Sequence, residues 1–153
     1  MQANELIQQF CDKTGIAYVE NVGGSLSVDC DGLTVSIRSL DEGRRIAVSG
    51  EVFYTAPGDD CEALYRAMFE AQHLYSGTVG AVFSINPDTG ALTLFRIIDC
   101  ETLEIDAFLE MLGQFITVLE LWSKVVAKYD PASHTDDGLR PIPFHGFGGA
   151  IPV

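Results

Sequence analysis

Between residues 102 and 129, Ile105, Phe108, Leu112, Phe115, Leu119, Trp122, Val126 and Tyr129 recur at alternating steps of three and four. That spacing stacks them along one face of a single long α-helix. Met111, Val118 and Val125 lie beside the stripe, and Leu109 and Ile116 lie on its other flank. The apolar arc is wider than a sheet alone would need, so other elements must help to cover it. A coiled coil is disfavoured because organised charge pairs are missing from the flanking positions. Trp122 is the only tryptophan, and its expected place is the core, with the ring N–H on an acceptor or at the rim.

Upstream, Leu6, Ile7, Phe10 and Cys11 fall at helical spacing within residues 3–13, and Thr14-Gly15 ends that short amphipathic helix. Leu26, Val28 and Cys30 then alternate with polar residues, as do Leu33, Val35 and Ile37. Asp31-Gly32 between the two runs predicts a tight hairpin. A third strand is predicted over 45–55, with Ile46, Val48, Val52 and Tyr54 on one face and Phe53 on the other. Together these form an antiparallel meander. Asp59 and Glu62 fit a capping box opening a second helix whose core stripe is Leu64, Met68, Ala71 and Tyr75, with Tyr65 and Phe69 on its shoulder. Val79, Ala81, Phe83 and Ile85 alternate next, residues 86–90 supply a turn, and residues 91–98 return as a fifth strand. The expected fold is α+β: a twisted antiparallel sheet in the order α-β-β-β-α-β-β-α, with the long C-terminal helix packed on it. Its core should contain Leu26, Val35, Val48, Phe83, Leu94, Leu112, Phe115 and Leu119.

The chain has 153 residues, enough for one domain with a real core. Residues 1–129 read as that domain and 130–153 as a Pro/Gly-rich tail. Ile142, Phe144, Phe147 and Ile151 are apolar enough for the tail to lie against the body or a neighbouring molecule. Nine Lys plus Arg against 22 Asp plus Glu give a net charge of −13, spread through the chain. Such a surface repels phosphate backbones and anionic lipid, so nucleic acid is a poor partner and a basic protein segment a better one. No apolar run is long enough for membrane insertion, and residues 1–13 lack the features of a signal peptide, so the expected location is cytoplasmic.

Candidate chemistry is sparse. Cys11, Cys30, Cys61 and Cys100 are scattered without the spacing of zinc or redox motifs and read as reduced and mostly buried. Cys61, near a helix N-terminus, would be the most reactive. The glycines after His145 precede no helix, so an anion loop is disfavoured. His73 and His134 are isolated, and Glu104, Asp106 and Glu110 are explained by the acidic start of a helix. Nucleotide, metal and nucleophile signatures are all missing, so neither cofactor nor catalytic residue is assigned and an enzyme is not expected.

The ordered string of elements on an acidic chain of this size resembles the class I type III secretion chaperones, the Tir-chaperone (CesT-like) family. The likeness is densest from Ala71 to Trp122: a helix end reading Ala71-Gln72-His73-Leu74, a glycine-containing step, the hairpin from Val82 to Leu94, and the long helix with Phe115 and Trp122. Gln72 stands where the family usually has Asn, and the tail beyond Tyr129 is longer than the family core needs. The resemblance implies a homodimeric, ATP-independent cytoplasmic chaperone that holds the N-terminal region of a secreted effector in extended form, ready for export. A general protein-binding adaptor or regulatory domain of the same fold is the alternative.

Two surfaces follow as expectations. The second helix should form the dimer interface through Tyr65, Phe69 and Gln72, where the family's usual interface lies. The sheet face turned away from the long helix should take cargo, with Phe95 or Ile97 joined by Val82 and Phe53, and with Leu6 and Phe10 of the first helix covering part of that side. Alternatively the first helix, or Phe144 and Phe147 of the tail, simply covers that patch.

Overall fold

The 102–129 stretch forms one unbroken helix, α3 (Ile105–Val126), with Glu104 as its N-cap and Asp106 in its first turn. The structure, a computed structural model, describes residues 1–17, 24–56 and 58–129. Expectations for the tail therefore lie outside the described residues. Helix α1 (Ala3–Thr14) opens with the Glu5 carboxylate accepting the Gln2 N–H at 3.0 Å. It ends where Gly15, at φ 72°, donates its N–H to the Cys11 carbonyl at 2.9 Å. Strands β1 (Ser25–Cys30) and β2 (Leu33–Leu40) meet through Asp31 and Gly32, both at positive φ, in the tight two-residue hairpin turn that this dipeptide favours. Strand β3 (Arg45–Tyr54) completes the meander. Helix α2 (Glu62–Gln72), strands β4 (Val82–Ile85) and β5 (Ala91–Asp99), and α3 follow in the expected order.

The sheet order is β1-β2-β3-β5-β4, antiparallel throughout, so β5 reaches across to the far side of the meander and β3 becomes central. Register decides the faces. Leu26 pairs with Ile37, Ile37 with Val48 and Val48 with Arg96, while Val28, Val35, Gly50 and Leu94 make the adjacent row. Directly paired residues share a face. This face carries the buried side chains, with Leu26, Val35, Ile37, Ile46, Val48, Leu92 and Leu94 all at most 3% exposed. Phe83, expected as core, is half-buried and packs edge-on against Trp122, with ring centroids 4.8 Å apart.

Helix α3 lies against β3 at a position that only a glycine permits. A Cβ on Gly50 would sit 2.4 Å from a Leu119 methyl, so its absence sets how closely helix and sheet approach. Nearer its C-terminal end, the Trp122 indole N–H donates to the Gly77 carbonyl at 3.0 Å. Its other flank is covered by α1, whose Phe10 meets Phe108 edge-on with centroids 6.2 Å apart. Helices α1 and α3 therefore occupy the same face. This corrects the expectation that Leu6 and Phe10 cover the opposite side: they are 0% and 4% exposed within the core beside α3. The wide arc of α3 is the physical reason, because its flank would otherwise stay in water.

Three local expectations change as well. A bulge between Glu51 and Phe53 breaks the alternation of β3 and sets Phe53 opposite Leu92, half-buried against the core rather than on the far face. The capping box at Asp59 does not form. Cys61 is the N-cap, and the Asp59 carboxylate instead accepts the Ala56 N–H at 2.6 Å. Tyr75 leaves the core stripe because α2 stops at Gln72, where Leu74 and Tyr75 take left-handed backbone angles of φ 52° and 57°. Gly77 then donates to the Ala71 carbonyl at 2.7 Å, closing the helix end.

Gly50→Ala should cost about 1–3 kcal/mol by overpacking. In a Leu119→Ala background the added cost should shrink by more than the ~0.5 kcal/mol scatter expected of independent sites. Urea unfolding of the four proteins of this cycle checks it, and simple additivity would show that the contact does not limit the packing. Phe115→Ala, at a site 2% exposed, should cost about 3–5 kcal/mol in the same assay.

Candidate protein-binding surfaces

With the packed helices gathered on one side, no described helix or strand covers the other side of the sheet. Its cross-strand rows are read from the register: Ser27, Ser36, Ser49, Phe95 and Val82 form one, and Ser25, Arg38, Ala47 and Ile97 form the next. Small polar side chains dominate the β1 to β3 half. The β5 and β4 half carries an apolar group, Ile97 40% exposed and Phe95 and Val82 half-buried, with Ala47 of β3 beside it and the Ser84–Thr93 pair beyond it. Phe95, Ile97 and Val82 are therefore brought together, whereas Phe53, Leu6 and Phe10 are on the helix side. The contribution of Ala47 and Ser49 was not singled out from sequence. Their alternation within β3 is visible there, but which residues of β5 they stand beside depends on a long-range pairing.

The island lies next to an interrupted edge. The Phe83 N–H points away from β5 and donates to the Gln72 side-chain carbonyl at 2.7 Å, so α2 caps the outer rim of β4. In an antiparallel ladder the neighbouring Val82 must then face Phe95 with its own backbone groups. Pairing of β4 ends at that couple, while β5 runs on to Asp99. Ile97, two residues beyond Phe95, turns its N–H and C=O toward the same side, where no described strand flanks it.

Helix α2 presents a second surface. Leu64, Met68 and Ala71 are buried, and Phe69 projects outward at 72% exposure. Tyr65 is half-buried, and burial raises its phenol above the ordinary range. Gln72 is used within the molecule, on the β4 rim. Leu74 at 77% and Tyr75 at 47% exposure extend the apolar surface past the helix end. Sequence periodicity missed this pair, because it carried the helical stripe through a point where the backbone turns left-handed. Beside Phe69 and Tyr65 lies a hollow of about 600 Å³ edged by Asp59, Asp60, Glu62 and Glu70, with Arg66 as its basic lining residue.

Titratable chemistry is subdued. Burial raises the thiols of Cys11, Cys30 and Cys100, each further raised by a neighbouring aspartate, so they stay protonated at neutral pH. All four cysteines are free. On the helix face, Arg96 Nη1 is buried without a hydrogen-bond partner among the described residues, and burial lowers the Arg96 pKa. Among the described residues no helix is long and apolar enough to cross a membrane.

Solved structures share this architecture. The ExsC-ExsE complex contains a chain matching with a TM-score of 0.64 at 19% identity, over 80% of this chain and 91% of that one. A chain of the heterodimeric ExoU-SpcU complex from the type III secretion system of Pseudomonas aeruginosa matches at 0.61 and 15% identity, over 79% and 95%. YbjN from E. coli, a candidate transcription regulator, matches at 0.61 and 17% identity, over 82% and 92%. At these identities the likeness is one of fold. The comparison with curated proteins found no match. The model of the Tir chaperone protein (CesT) family matches residues 5–123, from α1 through most of α3, and the chain accordingly belongs to that family.

Proposed function

We propose that this protein is an ATP-independent, non-enzymatic chaperone that holds the N-terminal region of a secreted effector in extended form in the cytoplasm. Residues 1–129 act as the binding domain and 130–153 as an appended tail. The observation that carries the reading is the apolar island of Phe95, Ile97 and Val82 on an otherwise polar open face, beside the unflanked edge at Ile97. An extended peptide laid there would place side chains on the island. It could also bond its backbone to β5, which gives affinity with little demand on cargo sequence. Leu6, Phe10 and Phe53 serve this surface only indirectly, by holding the sheet from behind. The net charge of −13 favours basic cargo segments and raises the association rate, an effect that weakens with added salt.

The working unit is a homodimer joined through α2, with Phe69 and Tyr65 at the contact and Gln72 holding the helix to β4. A specific interface of this kind removes about 800 Å² per partner from water. A second reading is a general adaptor or regulatory domain, favoured by the likeness to YbjN at a TM-score of 0.61. The two differ in what copurifies with the protein from its native cell: an exported protein in the first case, a resident cellular protein in the second.

Phe95→Asp with Val82→Asp should weaken capture of the copurified partner by about thirtyfold or more, the effect of losing about 2 kcal/mol at a central contact. Dimer mass and helix content should be unchanged, as read by sedimentation and circular dichroism. Full capture by the folded double variant would place the cargo surface elsewhere. Tyr65→Asp with Phe69→Asp should yield monomers in sedimentation, and an unchanged mass would move the dimer interface off α2.

A further inference from the structure

The hollow along α2 lies close to the point where the chain leaves the described body. Trp122 is bonded to Gly77, whose own N–H is bonded to the Ala71 carbonyl, and this ties the last turns of α3 to the end of α2. Tyr129 is close enough to Glu70 that its hydroxyl, raised first by burial, is raised further by that carboxylate. Glu70 is itself one of the residues lining the hollow. Residues 130–153 thus start beside an acidic depression with the exposed ring of Phe69 in its wall.

The composition of that tail complements the depression. After Asp137 it contains no acidic side chain, and its run Arg140-Pro141-Ile142-Pro143-Phe144-His145-Gly146-Phe147 combines a permanent cation with three large apolar groups. Prolines at 141 and 143 disfavour a helix and favour an extended segment that docks through its side chains. Reach is ample: from Tyr129 to Arg140 an extended chain spans up to ~35 Å, and the 11 residues of α2 span only ~16 Å.

We infer that residues 139–147 of the chain's own tail dock along the exposed side of α2, Arg140 among the hollow's carboxylates and Ile142 and Phe144 over Phe69. The open sheet face is a poorer seat. It lies on the side of the sheet away from α3, and its carboxylates, Asp29, Glu51 and Asp99, stand apart on separate strands, with Arg45 paired to Asp99 and Arg38 among the serines. One consequence rests on the dimer reading given above: the tail and a second copy exclude each other from α2, so the tail tunes assembly.

The test uses the full chain and its Arg140→Glu, Phe144→Asp variant, whose changes lie outside the core. Hydrogen exchange is followed by mass spectrometry at a concentration where sedimentation finds monomer. A tail that covers α2 nine-tenths of the time protects it about tenfold, so exchange over residues 62–75 should be about tenfold faster in the variant. The dimer dissociation constant should fall by about the square of that factor, roughly a hundredfold, since the surfaces of both copies are no longer masked. Unchanged exchange over 62–75, or a change confined to the strands around Phe95 and Ile97, overturns the docking site whatever the dimer does. Faster exchange over 62–75 in a chain that never dimerises upholds the docking and removes the dimer reading alone.

Discussion

The architecture depends on covering an apolar arc on α3 that is too wide for one neighbour. Gly50 lets Leu119 seat directly on the central strand. Phe10 closes one flank at Phe108, and on the other side Trp122 is held by Phe83 and the Gly77 carbonyl. Sheet, first helix and α2 end are thus drawn to the same side by a single element. A narrower stripe would have been satisfied by the sheet alone and would have left α1 free to pack elsewhere.

That concentration of cover has a cost on the reverse side, where no described helix shields the sheet. The half built from β1 to β3 meets water through serine, threonine and charged residues, as a solvated antiparallel face does. The half built from β5 and β4 does so only at Ser84, Thr93 and Asp99. Phe95, Ile97 and Val82 are clustered there, with Ala47 of β3 beside them, because a crossover connection makes β5 the neighbour of β3, and β4 is too short to flank it fully. Apolar surface next to backbone that no described strand pairs suits an extended protein segment, which can use both at once.

The acidic charge and the exposed side of α2 belong to one description. A surface with excess carboxylate attracts cationic segments from a distance, and apolar contacts such as Phe69 or Ile97 then supply the short-range affinity. Any basic, apolar and extended segment fits this scheme, including one carried by the protein itself. Residues 139–147 have that composition, and a segment tethered to the same chain acts at a high effective concentration.

Amphipathic periodicity and turn chemistry by themselves determined the element order, the hairpin at Asp31-Gly32, the single long helix and nearly all of the core. These depend on residues a few positions apart, and the family pattern was legible for the same reason. Pairings between distant residues were not. Periodicity places Phe53 by counting, but a bulge at Val52 turns it to the other face, and the extra residue is specified by its match to β5. Leu6 and Phe10 show an apolar helix face without showing which side of the sheet it meets. Tyr75 continues the helical stripe by spacing, but the backbone turns left-handed at Leu74 and Tyr75, and the chain then brings the Gly77 carbonyl to Trp122. Only the tertiary structure decided which apolar residues stayed uncovered, because exposure is a property of what packs opposite a side chain and not of the side chain's own neighbours in sequence.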